Sequence, residues 1–158
     1  MRLVIVSDTH GRVLNFRKVC LMQSKADVFI HLGDGICDVD TMRSVNPDLC
    51  FVSVKGNVDF GSSEPSDKLL VLEGKRIFLT HGHSYGVKRS YDGVIAAGEK
   101  AKVDIILFGH THNPYLNYTN GIYIMNPGSL EKPPGNNPQF GIIDIIDGSI
   151  TAFLSSVT

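Results

Sequence analysis

The chain has 158 residues, of which 42% are apolar and 20% charged, with a formal net charge of −1. That length suits one globular domain, residues 1–158, with a core of its own. The near-zero charge offers no basic surface for nucleic acid, and no apolar run reaches the roughly 18 residues that read as a membrane span.

The first apolar run, LVIVS from Leu3, reads as a buried strand. The segment RVLNFRKVCLMQ follows. Its apolar positions Val13, Leu14, Phe16, Val19, Leu21 and Met22 suit a helical face, and Cys20 falls on the same apolar side. A second strand, VFIHL, carries His31 within it, where a core or supporting role is the expectation. A short helix from Asp40 to Val45 leads to the strand CFVSV. Crossovers of this kind favour parallel pairing. KLLVL and RIFLT flank Glu73-Gly74-Lys75, a hairpin signal. A helix from Arg89 to Lys100 precedes the strand DIILF. In the last third, YLNYT and IYIMN flank Asn120-Gly121, and FGIIDII and SITAFL flank Asp147-Gly148, both strong turn signals.

Strand–helix alternation that gives way to hairpins predicts an α/β fold: a four-layer sandwich of two mixed β-sheets packed face to face, with helices outside. The loop from Glu131 to Pro138 holds three prolines and two asparagines, and is expected at the surface and mobile. The C-terminal hairpins offer a surface for a homo-oligomer.

Five of the six histidines fall in three short motifs at strand ends: Asp8-Thr-His10, His81-Gly-His83 and Gly109-His110-Thr-His112. Gly33-Asp34 and Gly56-Asn57-Val-Asp59 follow two further strands. Ligand crevices of open α/β sheets lie outside the carboxyl ends of the strands, so five such ends would converge on one polar cage. The spacing of two in Asp8-x-His10 puts both side chains on one face of an extended segment, and at a strand end can serve one ion. His110 and His112 can each serve a different ion if the loop turns between them. Gly33 permits close backbone approach to Asp34, whose two oxygens can bridge two cations. Asn57 is a neutral amide donor suited to hard ions. The donor set is imidazole and oxygen without thiolate. It suits two divalent ions, Mn²⁺ foremost with Fe, Ni²⁺ or Zn²⁺ also compatible, and argues against Ca²⁺.

The ordered series Asp8-x-His10, Gly33-Asp34, Gly56-Asn57-x-Asp59, His81 and Gly109-His110-x-His112 resembles the calcineurin-like metallophosphoesterase superfamily. The later Asn126-Pro-Gly-Ser-Leu stretch is similar to its small YfcE-type phosphodiesterase branch. The resemblance implies that Asp8, His10, Asp34 and His112 hold one metal, that Asp34, Asn57, His81 and His110 hold the other, and that Asp34 bridges them. It also implies that a bridging hydroxide attacks a small-molecule phosphate ester in line.

One departure stands out. The superfamily commonly has Gly-Asn-His-Asp/Glu, in which the histidine protonates the leaving group, and here that position is Val58. Asp34, Asn57 and His83 remain as the catalytic set, with His83 or a metal-bound water as the substitute acid. Asp59 is left to orient Asn57 or a turn amide. Lys88 and Arg89 could touch a phosphate, although a solvated helix start is the default. Tyr85 and Tyr91 read as packing residues, and Asn126 to Ser129 as a turn beneath the site.

Two alternatives share this pattern: a phosphomonoesterase, and a protein-interaction scaffold such as the retromer subunit that resembles these enzymes. Cys20, Cys37 and Cys50 are isolated and odd in number, and Met1-Arg2 leads straight into a strand without a signal-peptide pattern. Both point to the cytoplasm.

Overall fold

The computed structural model describes residues 1–131 and 137–158. The expected mobile loop from Glu131 to Pro138 lies mostly outside the described residues. In chain order the elements are β1 (Arg2–Val6), α1 (Val13–Met22), β2 (Val28–His31), α2 (Ile36–Val45), β3 (Phe51–Ser53), β4 (Asp67–Leu72) and β5 (Lys75–Thr80). A 3-10 turn (His83–Tyr85) follows, then α3 (Asp92–Lys100), β6 (Ile105–Leu107), β7 (Tyr115–Thr119), β8 (Ile122–Asn126), β9 (Gln139–Ile146) and β10 (Ser149–Ser156).

These form two five-stranded sheets, ordered β10-β9-β1-β2-β3 and β4-β5-β6-β8-β7. Each has a parallel centre, β1-β2-β3 in one and β5-β6-β8 in the other. Antiparallel hairpins complete them. The mixed sheets expected from the sequence are therefore present.

The alternation of side chains along a strand decides the layering. Leu3 and Ile5 of β1, Ile77 and Leu79 of β5, Ile105 and Leu107 of β6, and Ile143 and Ile145 of β9 enter one cluster between the sheets. Val4, Val6, Phe140 and Ile142 point the other way and meet Phe16, Val19, Val39 and Met42 of α1 and α2. Phe78, Ile106 and Ile124 meet Val94 under α3. Each fully buried aliphatic or aromatic side chain contributes about 1.5–3 kcal/mol of transfer free energy. The result is a helix–sheet–sheet–helix sandwich. Among the described residues no helix is long and apolar enough to cross a membrane.

Three local expectations need correction. In α1 only Phe16, Val19 and Cys20 are buried, while Leu14 and Leu21 are 70% and 69% exposed. At about 100° per residue these two leucines fall roughly 150° around the helix from Phe16, so the six apolar positions never made one face. Helix α2 begins at Ile36, four residues before Asp40. Helix α3 begins at Asp92, because Arg89 and Ser90 lie in a turn that returns to the Gly86 carbonyl. Tyr85 and Tyr91 do pack as expected: Tyr85 lies edge-on to Phe78, and Tyr91 lies between Phe108 and Tyr115.

Candidate metal centre

The loops after β1, β2, β3, β5 and β6 meet at one end of the sandwich. Main-chain bonds fasten them: Asp8 N–H to the Gly33 carbonyl, His10 N–H to the Asp34 carbonyl and Gly109 N–H to the His81 carbonyl. Two glycines make the close approach possible. A Cβ on Gly33 (φ +96°) would lie 2.6 Å from the Gly56 nitrogen, and one on Gly109 would collide with the Ser7 hydroxyl.

Two donor groups result: Asp8, His10 and His112, and Asp34, His81 and His110. Within each, the donor atoms lie within 4.8 Å of one another. His110 and His112 thus separate into different groups, as the turn between them required. The two-residue spacing of Asp8 and His10 works differently from expectation. Both residues are left-handed (φ +53° and +42°), so a turn rather than an extended segment brings them together. Asp34, His110 and His112 are also left-handed. Of nine such non-glycine residues among the described residues, five are candidate ligands. This conformation costs a side-chain-bearing residue about 1–2 kcal/mol, and strain of this sort collects where function imposes it.

Each carboxylate is oriented by its neighbours. Asp8 Oδ2 accepts from the Ser7 hydroxyl (2.6 Å) and the His110 amide (3.1 Å). Its Oδ1 is buried with no hydrogen-bond partner, although His112 Nε2 lies 3.1 Å away off the bonding direction. Asp34 Oδ1 accepts from the Val58 amide at 3.0 Å. That leaves Oδ2 facing inward, 3.3 Å from His81 Nε2 in one group and 3.9 Å from His10 Nε2 in the other.

The imidazoles face one another in pairs. His10 Nε2 and His112 Nε2 are 3.4 Å apart, and His81 Nε2 and His110 Nδ1 3.1 Å apart. His81 Nδ1 donates to the Leu32 carbonyl at 2.7 Å, which leaves the Nε2 lone pair toward Asn57 Oδ1 (3.1 Å) and Asp34. An orphaned buried carboxylate oxygen and a lone pair ringed by acceptors call for a cation or a proton. The donor set fits a divalent metal on both counts.

Electrostatics agree. Burial opposes ionisation of Asp34, but the His81 ring, the Val58 amide and the charges of His81 and His10 outweigh it and hold the carboxyl at about 2. Burial likewise opposes Asp8, which nevertheless lies below its ordinary value through His112, His81 and Ser7. Burial would lower His81, yet Asp34, Asp8 and the Leu32 carbonyl raise it, a proton taking the place a cation would fill. His110 is pushed down to about 4 by burial and the charges of His81 and Lys88.

The remaining sequence-derived residues fall as follows. Asn57 joins the second group through its amide oxygen. His83 lies outside both groups, its ring 5.5 Å from His81 and 6.1 Å from His110, with Nδ1 buried and unpartnered. Val58 is 45% exposed and has no proton to give. His31 is buried: its Nδ1 accepts from the Gly33 amide and its Nε2 meets the Thr9 hydroxyl, so it supports both loops from below. Asn126 Nδ2 donates to the Gly109 carbonyl, and Ser129 Oγ donates to the Asp8 carbonyl, a turn beneath the site as expected. Ser7 escaped the sequence reading, because a serine closing a buried strand carries no distinctive pattern. Lys88 is exposed, but its charge reaches His110 and His112.

Known proteins resemble this chain in sequence and fold. The chain is 31% identical over 135 residues to the probable metallophosphoesterase YsnB of Bacillus subtilis, covering 84% of this chain and 77% of that protein. It is 30% identical over 169 residues to the phosphodiesterase YfcE of Escherichia coli, covering 91% and 88%. A predicted phosphoesterase of Streptococcus pneumoniae, solved as a crystal structure, superposes with a TM-score of 0.80 at 25% identity, covering 98% and 88%. The family profile of the calcineurin-like phosphoesterase superfamily domain matches residues 1–148. The chain therefore belongs to the calcineurin-like phosphoesterase superfamily, as a metallophosphoesterase.

Proposed function

We propose that residues 1–158 act as one metallophosphoesterase domain with a dinuclear centre that hydrolyses small phosphodiesters. The observation that carries this reading is Asp34 Oδ2, which faces both donor groups from 3.3 and 3.9 Å. One carboxylate so placed suits a bridge between two cations. In this reading Asp8, His10, Asp34 and His112 hold the first ion, and Asp34, Asn57, His81 and His110 hold the second. Mn²⁺ is the ion we favour. Two such ions, when bound, supply Lewis acidity and a water of lowered pKa on one side of an in-line displacement at phosphorus.

The chain's own residues do the rest. Ser7 and the His110 amide aim Asp8, and the Val58 amide aims Asp34. The buried Leu32 carbonyl fixes the His81 tautomer, as hydrogen bonds behind metal-binding imidazoles commonly do. His83 is lowered by burial and by His81, so a neutral ring faces the site. It offers a hydrogen bond to a leaving oxygen rather than a full proton. With Val58 beside Asn57, no strong acid serves the leaving group. Substrates whose leaving group departs unaided, such as aryl esters, should react fastest. Preference for diesters draws on the likeness to YfcE. The free thiols of Cys37 and Cys50, both exposed, support a reducing cytoplasmic setting.

A phosphomonoesterase reading has one observation in its favour: the Lys88 charge beside His110 and His112 would suit a second negative charge on the substrate. Metal-stripped protein reloaded with Mn²⁺ should cleave bis(4-nitrophenyl) phosphate faster than 4-nitrophenyl phosphate. The reverse order would favour the monoesterase, and no metal-dependent turnover of either would favour a scaffold.

A further inference from the structure

Helix α2 has no cap from its own sequence: Gly35 precedes it and supplies no side chain. The cap comes from Asp59, in another loop. Asp59 Oδ1 accepts from the amides of Gly35 (2.9 Å) and Ile36 (3.0 Å). Asp59 Oδ2 accepts from the amides of Asp34 (2.8 Å) and Gly56 (2.7 Å). One carboxylate thus takes four main-chain donors, two on each oxygen, which exhausts its acceptor sites.

Those four amides belong to two different loops. Three lie in the Asp34-Gly35-Ile36 segment after β2, and the fourth is Gly56, next to Asn57. Among the described residues, no bond of Asp59 reaches a candidate ligand side chain, so any influence it has on the site passes through the main chain. That main chain is closely fitted: Asp34 is left-handed (φ +57°), and Gly56 approaches so near that a Cβ there would collide with the Asp34 carboxylate.

We propose that Asp59 is the positioning residue of the centre, a clamp that sets the Asp34 carboxylate and the Asn57 amide against each other so that both can serve one ion. The inference rests on the ligand assignment proposed above. Without the clamp, the helix N-terminus and the Gly56 turn would each relax. Asp34 and Asn57 would then drift apart, while Asp8 would stay where Ser7 and Ser129 hold it, and His112 lies on the separate loop after β6.

The test is Mn²⁺ binding to metal-stripped protein, followed by calorimetric titration and by the electron paramagnetic resonance signal of an exchange-coupled Mn²⁺ pair. His10→Ala and Asn57→Ala identify which affinity belongs to which ion. Asp59→Asn keeps the shape but turns an amide N–H toward two main-chain donors. It should weaken the Asn57-side ion about 10–100-fold, the range for groups that orient ligands. The other ion keeps Asp8, His10 and His112 and loses only the placement of the shared Asp34, so it should weaken by a clearly smaller factor, and the coupled signal should give way to isolated Mn²⁺. Val39→Ala, a core change in α2, controls for stability and should leave both affinities and the coupled signal intact. If Asp59→Asn does not fold, Asp59→Glu is read by the same titration and should show the same selective weakening. Equal weakening of both ions, or none, overturns the clamp. A wild-type protein that binds fewer than two ions overturns the ligand assignment itself, whatever Asp59 does.

Discussion

The two donor groups are built from the same residue types but held in different ways. His81 is fully buried, tied by Nδ1 to the Leu32 carbonyl, and Asp34 beside it is fixed by the Val58 amide. The first group pairs a fully buried carboxylate, Asp8, with two rings that face solvent, His10 at 26% and His112 at 37% side-chain exposure. In the second group the carboxylate and one ring, His81, are therefore set before any ion arrives, while His110 is only partly buried. In the first, only the carboxylate is set. Preorganisation of ligands comes from the hydrogen bonds behind them, and here those bonds are unevenly shared.

The largest expected effect is at the point where the groups meet. Asp34→Asn removes the charge that faces both. It should lower turnover at least a hundredfold, at the level of a lost metal ligand or more, without unfolding the protein. Near wild-type turnover with unchanged metal content would remove Asp34 from the bridge.

His31 joins the two loops from below through Thr9 and Gly33, and burial pushes it down to about 4, with neighbouring carboxylates only partly opposing. The unfolded chain binds this proton near its ordinary value of 6.5 and the folded chain does not. The associated stability is therefore fully present above about pH 6.5 and declines as pH falls toward 4, by about 3 kcal/mol. Metal-free protein should lose that much more stability across this window than His31→Asn, in which the amide oxygen can still accept from Gly33. Parallel stability-versus-pH curves for the two proteins would contradict the assignment.

A smaller change concerns the loop of the second group. Val58→His should restore an acid beside the leaving oxygen and raise the ratio of alkyl to nitrophenyl ester turnover about tenfold, short of the roughly 10²–10⁴-fold that fully positioned general acids supply. An unchanged ratio in a folded, metal-loaded variant would mean that position 58 does not face the leaving group.

The smallest effect reads the strain in the first group. His112 is left-handed (φ +59°), so His112→Gly should be more stable than His112→Ala by about 1 kcal/mol in metal-free protein. Equal denaturation midpoints would show that the backbone relaxes there without cost.

The sequence made part of this legible. The seven candidate ligands stood out because each follows a recognisable strand, and strand ends are read from local pattern. The sandwich followed from alternation and turn signals. Other features were hidden for physical reasons. The start of α2 could not be read, because its cap, Asp59, lies 23 residues beyond Ile36 and belongs to another loop. The left-handed ligands carry no decisive mark either, since glycine is the ordinary choice there and aspartate and histidine, though enriched among the exceptions, mostly adopt other conformations. Leu14 and Leu21 misled by composition, although their angular position already set them apart from Phe16.

The central claim is a pair of ions shared through Asp34, and anomalous diffraction from crystals soaked in Mn²⁺ tests it most directly. The account predicts two peaks about 3.5–4 Å apart, one among Asp8, His10 and His112, the other among Asn57, His81 and His110, with Asp34 between them. A single peak, or two that do not share Asp34, would contradict it.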